Sequence, residues 1–511
     1  MQNDIGGFLK MKKYTGVILL LLLTLLLSAC NTTPAPTPEP ILKKAVVGIP
    51  QDFDSLDPHL SVATGTQEVM YNIFTGLITI TPDGEIVMDL AESITPSEDL
   101  LKYTVILKEN VKFHTGKTLS SVDVVYTFNR LNGKTEDQKE PLTSNFAVIK
   151  SMEAPNAKTV VFHLANVDVS FISKLMVAII PENSGKSQAQ VPMGTGPFKY
   201  SGYTPGVGIT MVRNEDYYGT LPQLNQVDFK IYTDANTGFL ALQTGEVDIM
   251  NITLDQTKSI DKTKVSVLTT PQNMVQLMTL NLEHPAFAKK EVRQALNYAI
   301  NKDEIIEMLA PGSPKLDTNF SPIMGYFYNT ETEDFYAFNP EKSKQLLASA
   351  GESNLTFSIK VPVEYQFHMD TALLIQAQLK AVGVTMNIAP IEWNTWLSEV
   401  YGSANYEASI IGLTGKLDPD AVLGRFESTF RRNFYKYNNP EYDVIIKEAR
   451  LTADMATRKE LYNQAQEILT EDAVAVFIMD PTLYRAVNNR LSGLLTYPIG
   501  FIDMKTVTVN K

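Results

Sequence analysis

One cysteine, Cys30, serves the whole 511-residue chain, so no internal disulfide can form. A chain of this length without covalent staples must be held by buried apolar surface. It is also too long for a single hydrophobic core, and two or three structural units are expected. Twenty-two Tyr and 23 Phe suit such cores, and some of them are expected to line a cleft.

The surroundings of that cysteine add a second constraint. Lys12 and Lys13 precede an apolar run, Val17 to Leu27, interrupted only by Thr24, and Leu27-Ser28-Ala29-Cys30 follows. The order of positive charge, apolar stretch and small residues is that of a secretory signal. The final four residues resemble the lipobox of bacterial lipoproteins, in which the cysteine receives a diacylglyceryl group and everything before it is removed. The run is shorter than the roughly 20 residues a spanning helix needs. Residues 1–29 are therefore read as a lipoprotein signal peptide, with Met1 or Met11 as the start, and Cys30 as the site of lipid attachment. Residues 30–40 continue as a proline-rich tether whose prolines favour an extended form. The remainder is expected outside the cytoplasm, anchored to the bacterial cell membrane through lipid.

The chain is acidic, with a formal charge of -13, and carries no basic stripe with interleaved aromatics. That removes the electrostatic case for nucleic acid. The five histidines, His59, His114, His163, His284 and His368, are scattered without metal-ligand spacing. Neither a Gly-x-Ser-x-Gly elbow nor a zinc motif with paired histidines occurs. No cofactor, metal or catalytic residue is assigned, and a binding function is favoured over an enzyme.

Beyond the tether, period-two and period-3.6 patterns alternate, which indicates an α/β protein. Ala45 to Ile49, Tyr103 to Leu107, Val111 to His114 and Val247 to Ile249 read as strands. Ser120 to Asp123 is a capping box for a helix carrying Val124 and Phe128. Asn301, Asn339 before Pro340, Asp370, and Asn439 before Pro440 are expected helix starts, and Gly245, Gly351 and Gly383 are expected ends. Gly194-Thr195-Gly196-Pro197 reads as a turn needing glycine's backbone freedom. Arg293 is expected to meet a carboxylate within its own unit, and Asp57-Pro58-His59 to form a turn near a hinge.

A series of segments then supplies a resemblance. In order they include Leu56-Asp57-Pro58-His59, Tyr71-Asn72-Ile73-Phe74-Thr75-Gly76-Leu77, Val111 to Gly116, Met193-Gly194-Thr195-Gly196-Pro197-Phe198, Gly245 to Ile249, Val292 to Ile300, Leu379 to Val384, Glu392-Trp393 and Tyr437 to Asp443. Together they resemble the extracytoplasmic solute-binding proteins of family 5, the oligopeptide, dipeptide and nickel receptors of ABC transporters. The resemblance implies a two-lobed fold of the periplasmic-binding-protein type (class II), with an extra subdomain inserted in the first lobe. By that analogy lobe I takes residues 41–62, 196–278 and 482–511, the inserted subdomain takes 63–195, and lobe II takes 279–481. Hinge crossings are expected near Val275 to Leu280 and Ile478 to Tyr484.

The same resemblance implies a monomeric receptor that closes on a peptide or small-molecule ligand and delivers it to ABC permease subunits. A sensor for a signalling partner, a surface peptide hydrolase on the same scaffold and a chaperone-like binder are the alternatives. Peptide-binding relatives carry an aspartate for the ligand ammonium in the stretch matching Ile411 to Leu423, and Lys416 falls at its place here. Dipeptide relatives carry an arginine for the ligand carboxylate where Tyr365 stands. Leu413, Thr414, Lys416, Asp418 and Asp420 are accordingly candidate ligand contacts, with Asp418 or Asp420 as a replacement anchor if Lys416 turns to solvent. An anionic ligand such as a metal chelate would meet Lys416, Arg431 or Arg432. Trp393 and Trp396, the two tryptophans, are candidates for stacking on ligand, with burial in a core as the competing reading.

Overall fold

A computed structural model describes residues 43–270, 272–416 and 418–510. The signal, Cys30 and the tether lie outside the described residues.

Two mixed sheets form the centres of two lobes. The first has seven strands in the order Val265–Thr270, Leu483–Asn488, Ile249–Ile252, Lys44–Ile49, Gln226–Ile231, Gly208–Arg213 and Phe198–Thr204. Lys44–Ile49 runs parallel to both of its neighbours. It is covered on both faces, as its nearly uninterrupted apolar sequence requires. Ala45, Val47 and Ile49 enter one core with Val227, Phe229 and Met211, whereas Val46 enters a second with Leu242, Val247 and Met250. That is the two-residue alternation of a strand.

The second sheet has five strands, Thr385–Ile391, Thr356–Pro362, Ala408–Thr414, Met274–Leu280 and Ala475–Met479. Its faces are divided in the same way. Met278, Ile410 and Val476 pack into one core, and Leu277, Ile411 and Phe477 into another.

Between Lys44–Ile49 and Phe198–Thr204 the chain builds a separate four-stranded antiparallel sheet, Ala91–Pro96, Lys102–Leu107, Thr159–Leu164 and Ile149–Asn156. Helix Ser121–Leu131 starts from a Ser120/Asp123 capping box and covers this sheet through Val124, Phe128 and Leu131. This is the extra subdomain of the first lobe. It is tied back to that lobe by Arg130, whose guanidinium grips the Asp57 carboxylate with both side chains buried. Asp57 also closes its own turn by accepting from the His59 N–H. The Asp57-Pro58-His59 turn therefore serves this internal joint.

The polypeptide leaves the seven-stranded sheet after Thr270 and enters the five-stranded sheet at Met274; it returns between Met479 and Leu483. The boundary expected at 278/279 thus cuts a strand. Met274–Leu280 pairs along its whole length with Ala408–Thr414, because its apolar residues are buried on both faces.

Other local expectations shift for physical reasons. Helix Gln366–Lys380 begins ahead of Asp370, whose carboxylate accepts from the Gln366 side chain one turn back and caps nothing. Val111 to His114 makes no strand, only a bridge from Lys112 to Thr118. Gly194 and Gly196 are required by close approach: a side chain on either would collide with the Ile73 backbone. Arg293 meets no carboxylate. It donates to the carbonyls of Phe287, Ala288, Asp472 and Ala473, thereby satisfying exposed acceptors where helix Met455–Glu471 ends.

Candidate ligand cleft

Three strands of the second lobe, Thr356–Pro362, Thr385–Ile391 and Ala408–Thr414, run parallel. Their carboxyl ends therefore release three loops at one edge, the position at which open α/β sheets build sites. Tyr365, Trp393 and Lys416 lie just beyond those three ends, which is how residues fifty apart in sequence come together.

The edge faces the first lobe across a cavity of about 920 Å³, walled on one side by Thr64, Tyr71 and Phe501 and on the other by Trp396, Lys416 and Arg425. A smaller chamber of about 370 Å³ adjoins it toward the crossings, with Glu68, Asn273, Tyr365 and Arg485 on its walls. Thr64, Trp393, Ile411, Thr414, Gly500 and Phe501 line both, so the two form one cleft.

The aromatic walls are held by stacking within each lobe. Tyr71 and Phe501 stack with ring centres 3.9 Å apart. Trp393 and Trp396 stack on each other at 5.2 Å, nearly parallel, and Tyr365 stands edge-on to Trp393. Trp396 donates from its indole nitrogen to the Ser409 hydroxyl at 2.8 Å. The Trp393 indole N–H is buried and has no acceptor among the described residues. Each tryptophan belongs to the lobe core and also lines the cavity. Tyr365 donates its hydroxyl to Gln51 Oε1 of the first lobe.

The charges fall into two groups. Asp418 caps helix Pro419–Leu423 and accepts from Arg458 at 2.7 Å; its burial holds its carboxyl above the usual range against that pull. Asp420 accepts from Arg450 at 2.9 Å and lies 3.5 Å from Lys174 of the inserted subdomain. Both acids are thus committed to internal ion pairs, and the expectation that one of them replaces a missing ammonium anchor gives way. Arg431 reaches across the cleft to the Pro141 carbonyl at 2.9 Å, and Arg432 lies over the Tyr401 ring. Leu413 and Thr414 end the central strand and line the larger chamber.

Lys416 and Arg425 form the other group. Burial pulls the Lys416 amine down to about 8; the nearby Arg425 adds to the shift and Glu68 opposes it. Arg425, also lowered by burial, donates to the Thr414 carbonyl at 2.8 Å. On the facing lobe, burial lifts the Glu68 carboxyl to about 7 despite Arg485 and Lys416 nearby. Arg485 itself donates to Asn251.

Glu68, Arg425 and Arg485 were not found from sequence. The one usable signal is Arg485, a charge set among Leu483, Tyr484, Ala486 and Val487 in the strand Leu483–Asn488. Glu68 and Arg425 carry no local mark. Among the described residues no group of three or more His, Cys, Asp or Glu side chains is arranged to hold a metal. No helix among them is long and apolar enough to cross a membrane.

A cavity enclosed between two α/β lobes joined by two crossings defines a class, the binding proteins that hold a solute between their halves. Residues 85–434 match the model of the bacterial extracellular solute-binding proteins, family 5, and the chain belongs to that family. It is 26% identical to the oligopeptide-binding protein AppA of Bacillus subtilis over 88% of each chain. Its fold matches the ABC transporter-associated periplasmic binding protein DppA of Helicobacter pylori, solved with the peptide STSA. The TM-score is 0.85 at 26% identity, covering 92% of this chain and 98% of that one. It also matches AgaA of A. tumefaciens R10, solved with agropinic acid, at a TM-score of 0.83 and 25% identity over 92% and 99% of the two chains.

Proposed function

We propose that this protein captures a peptide or peptide-like solute by lobe closure and delivers it to the permease of an ABC importer, while tethered to the membrane through lipid on Cys30. The observation that carries this reading is the cleft itself: one cavity with walls from both lobes, which two backbone crossings allow to open and close. Residues 43–270 and 483–510 are assigned to the first lobe with its inserted subdomain, and 274–479 to the second.

Closure follows from the geometry. A ligand touching Phe501 on one side and Trp396 on the other gains contacts in the closed arrangement that the open one cannot offer, so binding shifts the population toward closed. The lobes already meet through Lys174 and Asp420, Arg431 and Pro141, and Tyr365 and Gln51. The Arg431 bond is exposed and weak, on the order of 1 kcal/mol or less, whereas Asp420 and Gln51 are buried in theirs. Few in number, such contacts are suited to a latch that releases its cargo. The bound ligands of the solved relatives, a peptide in one and agropinic acid in another, favour a solute with a peptide-like or acidic framework.

Two measurements test the reading. A bound ligand should raise the melting temperature and shrink the solution radius of gyration. A tight ligand that leaves the radius unchanged refutes closure. Cells grown with labelled fatty acid should carry the label on the natural protein and none on the Cys30→Ala variant, and a natural protein without label refutes the lipid anchor.

A further inference from the structure

The acids that line the larger chamber are already engaged. Asp168 is held by Lys174, Asp418 by Arg458, and Asp420 and Glu427 by Arg450. Asp89 accepts from the Tyr218 hydroxyl. The donors of the chamber are not balanced in the same way. The Lys416 amine has no hydrogen-bond or ion-pair partner among the described residues, although its carbonyl accepts from Asn273, and Arg425 reaches only a backbone carbonyl. Trp393, 7% exposed, offers an indole N–H without an acceptor. Glu68, in the adjoining chamber, stands in the field of both Arg485 and Lys416. One carboxylate therefore answers more positive charge than it can neutralise.

A cleft that closes over two cations without a counter-charge pays for it unless the ligand brings one, because a buried charge is tolerated only when paired and hydrogen-bonded. A free ammonium group placed in the larger chamber would face Lys416 and Arg425 with every acid of that chamber already engaged; the acids without a cation, Glu68 and Glu364, line the adjoining chamber. We propose that the ligand enters as an anion and that its carboxylate is held between Lys416 and Arg425 of the second lobe, so that the protein selects acidic peptides or acidic organic solutes by their carboxylate and not by a free amino terminus. The inference rests on the receptor reading above. Arg425 supplies a planar guanidinium suited to a carboxylate, and Lys416 a point charge beside it.

The lowered amine of Lys416 agrees with this arrangement: burial and the neighbouring guanidinium disfavour its proton, and a bound carboxylate would restore it.

The test uses a pool of peptides of two to ten residues from a protein digest in three forms: untreated, acetylated at the amino terminus, and methyl-esterified at the carboxylates. Each is incubated with the purified protein, and the retained peptides are counted by mass spectrometry after gel filtration. Acetylation should change retention by less than about threefold, and esterification should lower it by at least about tenfold. The Lys416→Gln, Arg425→Gln double variant, shown to be folded by its melting curve, should retain untreated and esterified pools alike. Lys416→Arg should keep the preference for the free acid.

Equal retention of untreated and esterified peptides by the natural protein, or loss on acetylation alone, overturns the carboxylate anchor and leaves the receptor reading standing. Retention of nothing from any pool overturns the peptide reading and the anchor together.

Discussion

Two stretches of charge share one wall of the cleft and behave differently. Asp418 and Asp420 sit at the start of helix Pro419–Leu423, paired with Arg458 and Arg450 from two helices behind it. Lys416 and Arg425 flank them in sequence, yet neither meets a carboxylate of the second lobe. The paired acids fasten the wall to its lobe, and the cations without a carboxylate face the cavity. Proximity to a site is thus a poor guide to a role in it. What separates the two sets is whether the fold has already supplied the opposite charge.

The sharpest way to break this contrast is to strand a charge in the fastened set. Arg458→Met leaves Asp418 buried without its cation and should lower stability by about 3–5 kcal/mol, read from urea denaturation. A loss below about 1 kcal/mol would place Asp418 among the free groups.

The reverse substitution targets the other set. Lys416→Met removes a desolvated cation, so stability should stay within about 1 kcal/mol of the natural protein or rise. Affinity for an acidic ligand should fall about tenfold, as expected when a charge-assisted bond of about 1.5–3 kcal/mol is lost. Titration calorimetry beside a melting curve separates the two effects.

Acidity sharpens the comparison further. Because the Lys416 amine is held at about 8, the protein should bind an acidic ligand more weakly as pH rises through that value, and Lys416→Arg should flatten the profile. Of the charged groups that act on it, Arg425 keeps its proton throughout, whereas Glu68 ionises near 7 and is separated by running the same profile in the Glu68→Gln background.

Glu68 gives a stability readout. Its folded carboxyl lies near 7 against an ordinary 4.5, so its contribution is fully present below about pH 4.5 and is lost as pH rises through 7. Glu68→Gln should flatten that part of the stability–pH curve, measured as melting temperature against pH.

The smallest effect belongs to the latch. Arg431→Ala removes an exposed bond to the Pro141 carbonyl and should change affinity by less than about threefold.

The comparison also shows what the residues reveal before folding. Strands such as Lys44–Ile49 and helices such as Pro340–Ser349 were legible because apolar spacing and local caps are read within one element. The loop after Thr414 was legible as a candidate site through its resemblance to peptide receptors. Which of its charges are free was not. The partner of Asp418 lies forty residues on, at Arg458, and the pairing exists only once helix Met455–Glu471 packs behind the loop. The first crossing was misplaced for a related reason: Val275 to Leu280 changes character along its length, but its burial as a central strand depends on Ala408–Thr414 beside it.

Native mass spectrometry of the protein purified from its own source bears most directly on the central claim. An added mass belonging to an unmodified compound with at least one acidic group is expected on the natural protein, and it should be absent from the Lys416→Gln, Arg425→Gln variant prepared in the same way. A retained compound that has no acidic group, or one held equally by both proteins, would contradict it.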